Sequence, residues 1–297
     1  MVNSVSLAVL VLCVGAGTPA VPSKVDQKLP ASSSGRVVVD NPLGSLEVRG
    51  VQEDVVHVTG SIGAGTERFI FEKQGDVTVV RVVIPEDRKL FQRVEGSHLV
   101  VTVPQGSELE VAVVSADAKV DRMSGATQVH SVSGDVRVTG MAGALCVNAV
   151  SGDVHVEGTP PRVEVDAVSG DVVMALGRDA VAVRVQTVGG DVTVKAPRVG
   201  RLDVNTVSGN AELALDPGSS AESRVSSQSG DVVWRVSSLA AASFVANSLS
   251  GDVHLPGKME RVGRGFGPGT QGRSVVGNGF GGVKISTVSG DVDVTQQ

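Results

Sequence analysis

The stretch that decides the fold is Val132-Ser-Gly-Asp-Val136. The same five residues recur later in the chain, at 150–154, 168–172 and 288–292. Variants of the phrase occupy five more segments, at 114–118, 188–192, 207–211, 228–232 and 249–253. Recurrence of one phrase along a chain is the signature of a repeat architecture.

One acid, or its amide, stands at the same place in every copy. These corner acids are Asp117, Asp135, Asp153, Asp171, Asp191, Asn210, Asp231, Asp252 and Asp291. Successive members are separated by 18, 18, 18, 20, 19, 21, 21 and 39 residues, and the last interval is about two periods.

Apolar and polar residues alternate on both sides of each corner acid. Around Asp153, Leu145 and Val147 precede the acid by eight and six positions, and Val154 and Val156 follow it by one and three. Period-two alternation is typical of strands with one buried face. Each repeat is therefore predicted to be a strand, a tight Ser-Gly-Asp corner and a second short strand. The glycine supplies a positive φ, and the aspartate is predicted to accept a nearby backbone N–H in an Asx-type turn.

Such short strands cannot bury their own apolar face, whereas stacked coils can. The sequence therefore predicts an all-β fold: a single-stranded β-helix (β-solenoid) over 109–297 with ~18–21 residues per coil. Within it, a Gly-rich loop at 257–282 breaks the period. Residues 35–108 are predicted to form irregular β coils or an N-terminal cap. The last corner acid stands six residues from the C-terminus, which leaves little chain to cap that end.

The composition agrees with a narrow strand-built interior. The 297 residues include 63 Val, six Phe, one Trp and no Tyr. Val favours pleated strands. Trp234 falls at an inward position of the repeat and is predicted to fill the core. The scarcity of rings argues against a sugar-binding cleft or a single-stranded nucleic-acid platform. The net charge of −6 likewise gives no footprint for nucleic acid.

The N-terminus predicts export. Residues 1–20 carry no charged side chain, contain a short apolar run, and end at the cleavage-like Thr18-Pro19-Ala20, as in a secretory signal peptide. We therefore expect a periplasmic, cell-surface or extracellular protein with no transmembrane segment in the mature chain. Residues 21–34 are polar and Ser-rich and are predicted to be a flexible tether. Leu12 precedes Cys13 where a lipoprotein signal needs a small residue, which disfavours lipidation.

The candidate chemistry is sparse. Ca²⁺ could relieve repulsion along the aspartate column, but each corner offers one carboxylate and Asn210 interrupts the series, so we predict a structural turn column without metal or cofactor. Cys146 stands seven residues before its acid, where other repeats carry polar side chains, and is predicted to face outward. It is either a tolerated surface thiol or the site of a disulfide between chains. The basic Gly-rich loop, with Lys258, Arg261, Arg264 and Arg273, either folds over the last coils or binds an anion.

The recurring Val-Ser-Gly-Asp-Val phrase, the export signal and the Gly-rich stretch before Val283 resemble a bacterial β-strand-repeat family of unknown function, whose members are named putative adhesins. That family is similar to the head-GIN putative adhesins. The resemblance covers about 35–297, implies a right-handed β-helix in the cell envelope, and brings no catalytic residues.

Together these observations predict a non-enzymatic, exported cell-envelope β-solenoid, an adhesin-like binding or structural module with an envelope or surface component as its partner. One alternative is an envelope scaffold that self-associates through its solenoid ends. Another is a polysaccharide-active β-helix enzyme, because outward acids on adjacent coils can lie roughly 5–9 Å apart.

Overall fold

A computed structural model describes residues 10–13, 23–85, 94–177, 179–218, 222–258, 260–261, 269–279 and 281–297, with no side-chain description at 10–13 and 260–261. Every regular element within these ranges is a β-strand, which confirms the all-β prediction. The chain forms two compact units, residues 1–144 and residues 145–297.

The first unit contains ten strands among its described residues. They are β1 (Leu10–Cys13), β2 (Ser23–Pro30), β3 (Arg36–Val51), β4 (Val55–Ile62), β5 (Arg68–Gln74), β6 (Val77–Val83), β7 (Ser97–Pro104), β8 (Glu108–Asp121), β9 (Thr127–Ser133) and β10 (Val136–Met141).

Stacked coils already begin at β3. Its first half pairs in parallel with the first half of β8, and its second half pairs in parallel with the second half, so that Ser45 stands opposite Asp117. In turn, β8 pairs in parallel with β9 before the corner and with β10 after it. The sequence placed the start of the regular coils at 109. In the structure the degenerate coil around Asn41-Pro-Leu-Gly44 already stacks on β8, and the division between the two units follows residue 144.

On its other side, β3 pairs in parallel with two strands, each of which continues into antiparallel pairings. The second half of β3 pairs with β7, which continues through β4 to β2. The first half pairs with β6, which continues through β5 to β1. These sheets cover the edge of β3 that a further coil would otherwise occupy, as a cap must.

The tether predicted over 21–34 is wrong for most of its length, because Ser23–Pro30 forms β2. The segment alternates well enough to bury Val25, while Lys24, Lys28 and Pro30 are exposed. Exposed lysines and a proline on an outer strand discourage pairing with another chain. The predicted signal peptide at 1–20 lies outside the described residues except for β1.

The second unit contains the remaining strands. They are β11 (Leu145–Ser151), β12 (Val154–Gly158), β13 (Arg162–Ser169), β14 (Val172–Leu176), β15 (Ala180–Gly189), β16 (Val192–Ser208), β17 (Ala211–Pro217), β18 (Glu222–Ser229), β19 (Val232–Val236), β20 (Ala242–Ser250), β21 (Val253–His254), β22 (Glu260–Arg261), β23 (Thr270–Val276), β24 (Gly281–Ser289) and β25 (Val292–Gln296).

Two parallel ladders run through this unit, one on each side of the Ser-Gly-Asp corner. The ladder before the corner runs β11, β13, β15, the second half of β16, and β18. The ladder after the corner runs β12, β14, the first half of β16, β17 and β19. Corresponding repeat positions stand opposite one another, as a β-solenoid requires.

The last three coils are not stacked in sequence order. The C-terminal coil, β24–β25, pairs with β18–β19 on one side and with β20–β21 on the other. It is therefore inserted between two coils that are neighbours in the sequence. The 39-residue interval to Asp291 is the trace of this insertion, because the chain forms the outer coil first and then returns to fill the gap.

The predicted shortage of capping chain at the C-terminus is therefore wrong. The outer strand of this ladder is β20, and its remaining edge is paired with the antiparallel β23, which comes from the Gly-rich segment. The last coil in the sequence is an internal one, so it does not offer the open end on which the predicted self-association depends.

The interior consists of aligned apolar columns. Leu145, Val147, Val154 and Val156 are each at most 2% exposed, and the equivalent residues of later coils are similarly buried. Trp234 is completely buried, as predicted. Its Nε1–H donates to the Leu215 carbonyl at 3.0 Å, and its ring meets that of Phe244 edge to face with the centroids 6.1 Å apart.

The inserted coil can be tested with Ile285→Asp, which places an unpaired carboxylate in the core at a fully buried residue. Each coil is stabilised by its immediate neighbours. We therefore expect hydrogen–deuterium exchange, followed by mass spectrometry, to accelerate by at least tenfold on both sides of the coil, in β18–β19 and in β20–β21.

The matched control is Lys284→Asp, which places the same carboxylate at the adjacent exposed position and should leave exchange in both coils near wild type. Acceleration confined to β20–β21 would contradict the insertion, because a coil stacked in sequence order has only that neighbour.

Candidate functional site

The corner acids form a hydrogen-bonded ladder from coil to coil. In the second unit, six of these side chains accept, through Oδ1, the backbone N–H of the corner residue in the next coil at 2.7–2.9 Å, and Asp252 at the end of the series only donates. The order is Asp153, Asp171, Asp191, Asn210, Asp231, Asp291 and Asp252. In the first unit, Asp117 Oδ1 accepts the Asp135 N–H at 3.0 Å.

This geometry differs from the predicted Asx-type turn, in which the carboxylate would serve its own corner. The carboxylate instead connects neighbouring coils. Asn210 fits the column without adjustment, since its amide Oδ1 accepts the Asp231 N–H at 2.9 Å. The column therefore depends on a carbonyl-type acceptor and not on a negative charge.

Close approach of the corners requires glycine before the acid in the copies that follow the first one, where Ala116 precedes Asp117. Gly170 and Gly190 have φ values of 117° and 115°. A Cβ on Gly190 would also lie well inside van der Waals contact of the Gly170 carbonyl oxygen in the preceding coil. Both the backbone conformation and the stacking distance exclude a side chain here.

The described part of the chain contains no cluster of potential metal ligands. Within those ranges, no three His, Cys, Asp or Glu side chains converge on one point. No helix formed by the described residues is long and apolar enough to cross a membrane.

An exposed row of aliphatic side chains runs beside the corner acids, three residues before each of them. We call its members in the second unit the apolar corner column. They are Val150, Val168, Val188, Val207, Val288 and Leu249, with exposed fractions of 43–52%. Gln228 takes the equivalent place in one coil. Val114 and Val132 occupy this position in the first unit and are equally exposed.

Sequence reasoning overlooked this column, although the alternation contained the signal. The small residues four before each acid, such as Ala167 and Thr187, are buried as the pattern indicates. On a strand, the next residue must point the other way. Valine recurs three residues before the corner acid in most copies. The repeat therefore predicts a row of aliphatic side chains that face solvent.

Cys146 is half-buried on the outer face of β11 and is a free thiol. The Asn148 side-chain amide lies 3.7 Å from its Sγ. Burial, followed by the nearby Glu164 carboxylate, raises the pKa of the Cys146 thiol. The protonated form that this favours is a poor nucleophile.

The structure describes part of the Gly-rich segment. Lys258 and Arg273 are exposed, whereas Arg264 and the side chain of Arg261 lie outside the described residues. Its described part supplies β23, which covers the edge of β20, in agreement with a segment folded over the last coils.

The acceptor role of the corner column predicts how Asp171 tolerates substitution. Asp171→Asn keeps the Oδ1 acceptor and should leave the melting temperature unchanged, with or without Ca²⁺. Asp171→Ala removes it and should cost about 1 kcal/mol, the worth of one hydrogen bond. Thermal denaturation in CaCl₂ and in EDTA measures both. A Ca²⁺-dependent loss in the Asn variant would contradict this role and indicate a metal ligand.

Comparison with known proteins places the architecture in a family. The model of the Toastrack DUF4097 family matches residues 57–295. No curated protein has a matching sequence.

Two crystal structures align over nearly the whole chain. One is of a putative cell adhesion protein from Clostridium sporogenes, at 10% identity over 93% of this chain and 100% of that chain, with a TM-score of 0.27. The other is of a putative adhesin from Bacteroides fragilis, at 11% identity over 94% of this chain and 99% of that chain, with a TM-score of 0.38. The family match covers well over half of the sequence, and the chain therefore belongs to the Toastrack DUF4097 family.

Proposed function

We propose that this protein is a non-enzymatic, exported binding module of the cell envelope that engages an envelope component through its apolar corner column. The observation that carries the proposal is the column itself. It places aliphatic side chains, each about half exposed, in one row across successive coils. Isolated exposed apolar residues are normal on a protein surface, whereas contiguous ones mark interaction sites.

The chemistry of the corner favours a broad, shallow contact. Fully burying a valine side chain is worth roughly 1.5–3 kcal/mol, and each of these has about half of its surface left to bury. One such contact is weak, but a row repeating at the strand spacing of about 4.8 Å adds the same increment from each coil. A partner with an extended surface would therefore bind far better than a small molecule.

Polar groups beside the column can fix the orientation of a bound partner through hydrogen bonds. Ser151, Ser169 and Ser208 are exposed next to their valines, and the corner acids follow one residue after the glycines. Oδ1 is used within the fold by Asp171, Asp191, Asp231 and Asp291, and the second oxygen of each of these carboxylates can accept a donor on the partner. An aliphatic stripe flanked by hydroxyl and carboxylate rows suits a partner that presents apolar surface together with hydrogen-bond donors.

Export is proposed from the sequence of residues 1–20, which combine an apolar run with a cleavage-like end and carry no charged side chain. Subcellular fractionation of the source bacterium, with an antibody against the purified protein, tests this part. Recovery in the envelope or the medium is expected, and recovery in the cytoplasm alone would contradict it.

The binding role predicts that Val150→Ser, Val168→Ser, Val188→Ser and Val207→Ser combined will reduce binding to isolated envelopes at least tenfold. Four adjacent aliphatic contacts are lost, while the core and the corner hydrogen bonds stay intact. Sedimentation of labelled protein with envelopes over a concentration series gives the dissociation constant.

A matched control removes apolar surface that is even more exposed but lies outside the column. Leu239, Val181 and Val275 are 90%, 67% and 57% exposed, and their combined replacement by Ser should leave binding unchanged. Equal loss in both variants would show that general hydrophobicity drives the association and would overturn the assignment to the corner.

A further inference from the structure

A shallow notch lies on the outer face of the ladder before the corner in the second unit. Arg162 on β13, Ala182 on β15 and Arg201 on β16 stand opposite one another in neighbouring strands. Two positions further along, Glu164, Arg184 and Asp203 form the next row, and all six residues line the notch. We call it the arginine notch.

Its shape follows from the small residue in the middle of the first row. Adjacent strands lie about 4.8 Å apart, so the backbones of Arg162 and Arg201 are separated by about 10 Å. The methyl group of Ala182 leaves the space between the two long side chains open. Both arginines are exposed, and Ala182 is half-buried between them.

Some charged side chains of the notch have a polar partner and others do not. The Arg184 Nη1 atom lies 3.7 Å from Glu164 Oε1. Asp203 Oδ1 accepts a hydrogen bond from the Asn205 side-chain amide at 2.8 Å. Arg162 and Arg201 make no ion pair or side-chain hydrogen bond with any residue in the described ranges.

Several other arginines of the protein are paired. Arg36, Arg224 and Arg235 each have a carboxylate partner on the same or a neighbouring strand. The arginine notch thus holds two guanidinium groups that line a common gap and have no carboxylate partner among the described residues. A bound anion would relieve their mutual repulsion.

We propose that the arginine notch binds a phosphate group, held between Arg162 and Arg201 above Ala182. A guanidinium presents a planar fork of donors that matches two oxygens of an anion. A carboxylate has only two oxygens, in one plane, and can satisfy one fork. A tetrahedral phosphate offers a pair of oxygens to each side, so it can accept both forks at once.

Arg184 and two valines complete the site. The Arg184 guanidinium, shared with Glu164, adds positive charge at the side of the notch, and Val163 and Val183 also line it. The residues involved stand nine and seven positions before the corner acids, so this site does not depend on the function proposed for the apolar corner column.

Nuclear magnetic resonance of the full chain tests the proposal at constant ionic strength. Inorganic phosphate and glycerol 3-phosphate should shift the Nε–H resonances of Arg162 and Arg201 and the amide of Ala182, with saturation at millimolar concentration. Glycerol 3-phosphate distinguishes a phosphate ester from the free ion by a further shift at the rim. Acetate at the same concentration should give no saturable shift.

Three variants and a control separate a built site from general charge. Arg162→Gln and Arg201→Gln should each weaken phosphate binding at least tenfold. Ala182→Leu keeps every charge but fills the notch, and should weaken binding equally. Arg68→Gln, at an exposed arginine on β5, should leave it unchanged.

Two results would overturn the proposal. The first is an equal response to acetate and phosphate, which would remove the tetrahedral preference. The second is undiminished binding by Ala182→Leu, which would show that the shape of the notch plays no part. Failure of envelope binding by the corner column would leave these readouts unaffected, so the two proposals fail separately.

Discussion

The fold depends on how closely one Ser-Gly-Asp corner can stack on the next. Glycine carries no Cβ, so the corner backbone of each coil can lie directly against the carbonyl of its neighbour. At that distance the N–H of one corner acid reaches Oδ1 of another, as from Asp191 to Asp171 at 2.8 Å. The main chain adds its own bonds at the same point, such as Val172 N–H to the Asp191 carbonyl at 2.9 Å. The register of both ladders is set here, because they meet at this corner.

Once the corners are aligned, identical positions of successive coils must share a column, and this explains the composition. A column of valines packs without gaps at strand spacing, and its stiff side chains lose little freedom on burial. Trp234 and Phe244 pack edge to face in the part of the chain where the repeat period is 21 residues, longer than the 18-residue period near Asp153. The small residues just before the corner, Ala167 and Thr187 among them, fill the narrowest part.

The columns were predictable from the sequence because alternation and period act through local geometry. The repeat predicted that Val163 and Val165 face inward and that a tight turn precedes Asp171, and the structure agrees. The order of the coils was not predictable in the same way. Every coil offers the same hydrogen-bonding edge, so spacing alone cannot distinguish whether Asp231 is followed by Asp252 or by Asp291. The antiparallel β2 was missed for a different reason: its exposed Lys24 and Lys28 give the polar composition expected of a tether, although Val25 is buried. The arginine notch forms because three strands are in register around Ala182. The sequence pattern alone does not predict that alignment of Arg162 with Arg201.

The inserted coil changes where this protein can meet a partner. A solenoid whose last coil is open presents a strand edge on which an identical coil could stack, and each added coil would recreate the same edge. Here β20 has β24 on one side and β23 on the other, so both of its edges are occupied. The strand β23 runs antiparallel and carries no Ser-Gly-Asp corner, and it therefore offers neither the glycine contact nor the acceptor that stacking requires. In the first unit the antiparallel sheets perform the same task beside β3. Because β20 has no free edge, the binding proposed above is assigned to the side surfaces of the coils, where the repeat displays one side chain per coil in rows. The apolar corner column and the arginine notch are two such rows, one built from a residue that almost every coil repeats and the other from residues that only three strands supply.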